Sequence, residues 1–333
     1  MKKKLKKILK KKLKKKVKKI RKHLCCPPKP PPIVCDVLTY VTNAEDNTVS
    51  VIDTANDTVI ATIPVGAFPV GIAITPDGTR AYVTNFVDNT VSVIDTASNT
   101  VIATIPVGAF PFGVAITPDG TRAYVTNQTD NTVSVIDTAT NTVITTIPVG
   151  TVPFGVAITP NGTRAYVANI LSNTVSVINT AANTVIATIT VGFSPFEVAI
   201  TPDGTRAYVT NQNDNTVSVI DTATNTVIAT IPVRPGPRGI AITPDGTRAY
   251  VTNAEPDLVS VIDTASNTVI ATIPVGAFPL GVAITSDGTR AYVTNFLDNT
   301  VSVIDTASNT VIATILVGNG PQGVAIGTVC PEE

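Results

Sequence analysis

The tetrapeptide YVTN, or a near copy of it, begins at Tyr40, Tyr82, Tyr124, Tyr166, Tyr208, Tyr250 and Tyr292, always 42 residues apart. These seven are all the tyrosines of the chain. Reading outward from Tyr124, one unit is GVAIT (113–117), PDG, TRAYVTN (121–127), a short variable turn, TVSVIDT (132–138), ATN and TVITTIPVG (142–150). Four segments rich in Val, Ile and Thr, bounded by Pro-Asp-Gly or Asx-Thr, read as strands joined by hairpins. In TVSVIDT, Val133 and Val135 alternate with Ser134 and Ile136, so both faces suit a strand covered on each side. Four-stranded units of this length predict an all-β fold, a β-propeller with one blade per repeat and therefore seven blades.

The inner strand can be counted separately, at Gly71, Gly113, Gly155, Glu197, Gly239, Gly281 and Gly323, and again gives seven. The chain enters at a second strand, LTYVTN, and ends on an orphan inner strand, Gly323 to Ile326. The last strand is therefore expected to complete the first blade and remove the exposed edges. In repeat register Cys35 falls where Asp77 sits, and Cys330 where Gly78 sits, so both lie at the hairpin where the ring is cut. A disulfide across the closure is expected. In the chain-entropy model so long a loop is worth roughly 5 to 6 kcal/mol, an upper bound because strand pairing already restrains the ends.

These repeats resemble the YVTN family of β-propeller proteins, known from bacterial and archaeal surfaces and surface layers, over residues 38 to 326. The resemblance implies a seven-bladed propeller with a role at a cell or spore surface, and carries no catalytic motif.

The formal charge of zero conceals two opposed segments. Residues 1–26 hold 15 of the 24 Lys and Arg and no acid, while the remainder holds 9 basic against 24 acidic residues, a balance of −15. Such asymmetry points to a polyanionic partner for the tail. Leu5, Leu9, Leu13, Val17, Ile20 and Leu24 recur at steps of four and three, an apolar stripe on a cationic helix. An anionic membrane, nucleic acid and an acidic wall polymer all fit, with a solvated disordered tail as the plainer alternative. Residues 27–34 are a Pro-rich linker that favours extended polyproline II, and residues 35–333 are the propeller. Cys25 and Cys26 are candidates for acylation or for disulfide-linked self-assembly. Lysines interrupt the apolar residues from Met1 to Leu24, so no conventional signal peptide is expected, and no stretch approaches the roughly 18 apolar residues of a membrane span.

Differences between the copies concentrate in the turn after YVTN and the segment leading into the next inner strand, which open on one face of a propeller, whereas the TPDGTR and DTASNT turns hardly change. Nine phenylalanines fall there: Phe68, Phe86, Phe110, Phe112, Phe154, Phe193, Phe196, Phe278 and Phe296, joined by Ile170, Leu171, Val87 and Leu297. Aromatic loop tips on one face suggest a recognition surface for a protein or surface polymer. Phe112, Phe154 and Phe196 immediately precede inner strands and are equally explained by packing between blades or at the channel mouth. Glu197 replaces the usual Gly, and Arg238 a Phe or Val in the next repeat, so a structural ion pair is expected there. A small anionic ligand meeting Arg234 and Arg238 is the sharper alternative.

The repeats contain no His and no Lys, so neither a general base near neutral pH nor a nucleophile-base pair is evident. Asn161 and Asn179 replace Asp in the fourth repeat, which turn chemistry tolerates and a carboxylate-dependent calcium site does not. The sequence is thus read as a non-enzymatic, surface-associated interaction protein without cofactor or metal. A cytosolic scaffold peripheral to a membrane is the first alternative, and a small-ligand-binding or lactonase-like propeller enzyme the second.

Overall fold

The structure, a computed structural model, describes residues 1–24 and 35–330, with the side chains of 20–24 excepted. An N-terminal helix, α1 (Lys2–Leu24), and the ring that begins at Cys35 are separate compact units. Cys25 and Cys26 and the linker lie outside the described residues.

Seven four-stranded antiparallel sheets make up the ring. Blade two is β4 (Pro69–Ile74), β5 (Arg80–Asn85), β6 (Thr90–Asp95) and β7 (Thr100–Pro106), in that order from the axis outward. Each inner strand touches the next around the axis. In blade one the inner strand is β28 (Pro321–Val329), paired with β1 (Asp36–Asn43) through Thr39–Ile326 and Tyr40–Ala325, so the C-terminus closes the first blade.

The hairpin between the first two strands shows why TPDGT recurs. Gly78 N–H donates to Thr75 O at 2.8 Å, Asp77 accepts from the Thr79 N–H at 3.0 Å, and Gly78 sits at φ 73°, a left-handed position that glycine enters without strain.

YVTN itself is an inter-blade device. Tyr82 is fully buried, and its hydroxyl donates to Asn141 Oδ1 of the next blade at 2.9 Å; Arg80 donates to Thr138 O of the same turn at 2.7 Å. Two residues on, and hence on the same face of the strand, Thr84 donates to the Phe112 carbonyl of the next inner strand at 2.7 Å and accepts from Gly71 N–H at 2.8 Å. Val83 fills the core cluster on the other face, and Asn85 donates to Thr90 and Ser92, each at 2.9 Å. Both faces of the two middle strands are buried.

The latch departs from this pattern at blade one. There Leu38 stands where Arg80 stands in blade two, and the Tyr40 hydroxyl and Asn99 Oδ1, which the repeat would pair, have no hydrogen-bond partner. Burial pushes the Tyr40 phenol up to about 12. On the other side of blade one, Asp57 replaces Asn, accepts from the Tyr292 hydroxyl at 2.8 Å and pairs with Arg290 at 3.2 Å. Beside the weakened latch lies the Cys35–Cys330 disulfide, with Cα atoms 4.2 Å apart. The covalent bond thus ties the chain ends where one polar contact of the ring is missing.

Replacing Cys35 and Cys330 with Ser should lower stability by about 2–5 kcal/mol. The check is the urea midpoint of the variant beside the wild type; equal midpoints would mean that β28 closes the ring unaided.

Candidate functional site

All seven inner strands converge on a cavity of about 440 Å³ at the mouth of the central channel. One register position, between a constant Pro and an almost constant Gly, lines it with Val70, Phe112, Phe154, Phe196, Arg238, Leu280 and Gln322. The following position is Gly in six blades because the strands approach closely: a Cβ on Gly71 would overlap the Phe112 carbonyl oxygen. Blade five places Glu197 there instead, directly against Gly155 of the preceding blade. Ile170 and Gln212, from the turns after YVTN in blades four and five, complete one side.

Phe112, Phe154 and Phe196 form a three-ring cluster, with centroids 4.3 Å, 4.9 Å and 5.7 Å apart. The Arg238 guanidinium extends it, 5.2 Å from the Phe196 centroid and 4.9 Å from that of Phe278. Burial draws Arg238 down from its ordinary value, partly opposed by the charge of Glu255, and its Nε has no hydrogen-bond partner.

The expected ion pair between Glu197 and Arg238 does not form: no salt bridge joins them among the described residues. Arg238 instead lies against two aromatic faces, where cation–π attraction of about 0.5–2 kcal/mol per ring holds it. Among the described residues the Glu197 carboxylate accepts only from the Val198 N–H, at 3.1 Å. Half-buried in the cavity wall and without a cation beside it, its carboxyl is pushed up by desolvation from 4.5 to about 7. The absence of His from the repeats had suggested that no group titrates near neutral pH; burial makes one from a glutamate.

The other residues of the variable face divide into two groups. Phe68, Phe86 and Phe110 stack along the rim with centroids 6.0 Å and 4.9 Å apart, and Phe278 meets Phe296 at 6.2 Å. Phe68, Phe110 and Phe278 occupy a left-handed position, φ 55–56°, where blades six and one use Gly236 and Gly320. A bulky residue there is strained by on the order of 1 kcal/mol, which aromatic contacts between neighbours offset. Leu171 and Phe193 remain exposed, at 66% and 62%. Arg234 is exposed and does not line the cavity, so the structure does not bring it together with Arg238; its carbonyl accepts from Asn253. Gln322 and Gln212 were missed as site residues. The signal for Gln322 was present, since its register position changes in chemistry while its neighbours stay constant.

The fold and its cavity can now be set beside known proteins. The model of the YNCE-like β-propeller family matches residues 114–213 and 203–287, just over half of the chain. This chain belongs to that family. No curated protein matches it. Among solved structures, Kuenenia stuttgartiensis hydrazine synthase is similar at 24% identity and TM-score 0.71, covering 79% of this chain and 95% of its own. A protein of unknown function from Desulfotomaculum acetoxidans DSM 771 superposes with TM-score 0.77 at 23% identity, over 89% of this chain and 99% of the other. A candidate 6-phosphogluconolactonase from Bacteroides fragilis NCTC 9343 does so with TM-score 0.76 at 19% identity, over 90% and 100%. At these identities the likeness is one of fold.

These neighbours, with the mouth chemistry, correct the expectation of a non-enzymatic surface protein. The fold is one that enzymes use, and Phe112, Phe154, Ile170, Phe196 and Arg238, read as part of a display surface or its rim, line a charged cavity instead. The ligand-binding or enzymatic alternative accounts for both.

Because the Glu197 carboxyl titrates higher folded than unfolded, its stabilising contribution is present below about pH 4.5 and is lost as pH rises through about 7. Glu197→Gln, which keeps the shape and removes the charge, should therefore match the wild type near pH 4.5. Near pH 8 it should exceed it by up to about 3 kcal/mol. Urea midpoints at the two pH values measure this, and a difference that does not depend on pH would contradict the assignment.

Proposed function

We propose that this protein binds a small organic anion in the mouth of its propeller channel. The observation that carries this reading is Arg238, a partly buried guanidinium lining the cavity with no carboxylate paired to it and its Nε unpartnered. A buried, unpaired cation is costly. A carboxylate or phosphate entering the mouth would supply two acceptors in the planar geometry that guanidinium matches. The Phe112, Phe154 and Phe196 cluster and the aliphatic wall offer an apolar surface for the rest of the ligand, and the cavity lies in the usual size range for small-molecule sites.

A second reading, proton-transfer catalysis, is favoured by Glu197 alone. A carboxyl titrating near 7 inside a cavity is matched to general-base work at neutral pH. The shared fold with a candidate 6-phosphogluconolactonase makes lactone opening the reaction to try first: Glu197 takes a proton from water as the water oxygen bonds to the lactone carbonyl carbon, then returns that proton to the ring oxygen as the ester C–O bond breaks, giving the hydroxy acid and the free carboxylate of Glu197.

For binding, thermal unfolding is followed with a panel of small carboxylates and sugar phosphates. At least one should raise the Tm of the wild type and leave Arg238→Met unmoved. A panel without effect, or an equal rise in Arg238→Met, would argue against an anion site. For catalysis, δ-gluconolactone hydrolysis above the buffer rate should increase with pH through about 7 and fall by at least about 100-fold in Glu197→Gln. Hydrolysis indifferent to that substitution would rule out Glu197 as the base, and no hydrolysis above the buffer rate would leave the binding reading alone.

A further inference from the structure

Helix α1 is a second feature, to be read from its own residues. Its 23 residues carry no acidic residue, and lysines occupy 13 of positions 2 to 19. Lysines three and four apart repel each other on an isolated helix. Helical order in this segment therefore calls for a surface of negative charge.

The apolar side chains say what kind of surface. Leu5, Leu9 and Leu13 are 63–66% exposed and Val17 46%, forming a ridge at steps of four, with Ile8 beside it at 54%. A nucleic acid or an acidic polysaccharide would satisfy the lysines and leave this ridge in water. A bilayer of anionic lipid takes both, the ridge entering the boundary between headgroups and acyl chains and the ammonium groups remaining among the phosphates. The choice of lysine fits the same surface, since a compact point charge suits a diffuse layer of phosphates, whereas fixed bidentate contacts favour arginine. So many lysines also make α1 unfit to span: no helix among the described residues is long and apolar enough to cross a membrane.

We propose that α1 is an interfacial anchor that places this protein on anionic lipid membranes. The helix, about 35 Å long, lies in the plane of the headgroups with Leu5, Leu9, Leu13 and Val17 turned toward the acyl chains.

The test uses the full chain and phosphatidylcholine vesicles with and without about 30 per cent phosphatidylglycerol, sedimented at about 0.15 M salt. Beside the wild type stands Leu9→Ser/Leu13→Ser, which keeps every charge. The wild type should bind the anionic vesicles at least about tenfold more tightly than the neutral ones, and the double variant should lose about tenfold or more. Thermal unfolding of the ring in the same variant serves as the folding control. Failure to bind anionic vesicles overturns the proposal. So does equal binding by the double variant, which would mean that charge alone acts, and so does tighter binding of duplex DNA that is indifferent to the ridge.

Discussion

The ring rests on the contact between each second strand and the blade that follows it. Tyr82 and Arg80 reach outward to the turn that holds Thr138 and Asn141, while Thr84 reaches inward to the Phe112 carbonyl. One strand thus fixes the next blade at two radii, which leaves little freedom in the angle between blades. Because the tyrosine is buried, a hydroxyl left unpartnered is costly, and in six of the seven blades it bonds to the neighbouring turn. The same residue that fills the core therefore dictates where the neighbouring turn sits. Repetition of this contact makes the fold tolerant of change wherever the contact does not reach.

Where it does not reach is the channel mouth. Thr84 holds a backbone carbonyl, not a side chain, so the residue that owns the carbonyl is free to differ. That residue is Phe112, and its equivalents are Val70, Phe154, Phe196, Arg238, Leu280 and Gln322. A conserved framework of backbone bonds thus carries seven independently chosen side chains into one cavity. Glu197 is the exception to glycine at the next position, and it is placed where it has no cation to answer it. An arrangement built for stability alone would be expected to pair it or to keep the glycine, since an unpaired buried carboxyl weakens the fold.

Much of this was legible in the residues. The repeat period gave the blade count, the turn residues gave the hairpins, and the truncated first unit gave the closure by β28 and the Cys35–Cys330 bond. Side-chain direction was not legible. Glu197 and Arg238 were placed on adjacent blades, and opposite charges on adjacent blades read naturally as a pair. What the linear pattern hides is a competitor, since Phe196 and Phe278 offer Arg238 two aromatic faces. The phenylalanines show the same limit. Phe110 and Phe112 are two residues apart, yet a left-handed φ at Phe110 precedes the strand, so Phe110 stacks on the rim and Phe112 enters the mouth. A catalogue of residue types, likewise, found no base because it looked for histidine, whereas the titration of Glu197 is set by desolvation.

Glu197 and Arg238 line one cavity without touching, and this gives the mouth a charge that depends on pH. Below about pH 7 the glutamate is protonated, and the half-buried Arg238 is opposed only by the more distant charge of Glu255. Coulomb attraction for an entering anion is then at its strongest, because few solvent dipoles screen it. As the glutamate ionises, the cavity gains a negative charge that repels the same anion, and the bound anion in turn holds the glutamate protonated. In an anion-binding mouth, binding and protonation would therefore be linked through space, with no movement of the backbone required. A hydrolytic role would reverse the demand on Glu197, since a base must be ionised to act. An anion held at Arg238 and a base at Glu197 place opposite requirements on one carboxyl, and a neutral ligand such as a lactone would avoid that conflict until its ring opened to the acid. Repulsion from the ionised glutamate would then favour release of the product.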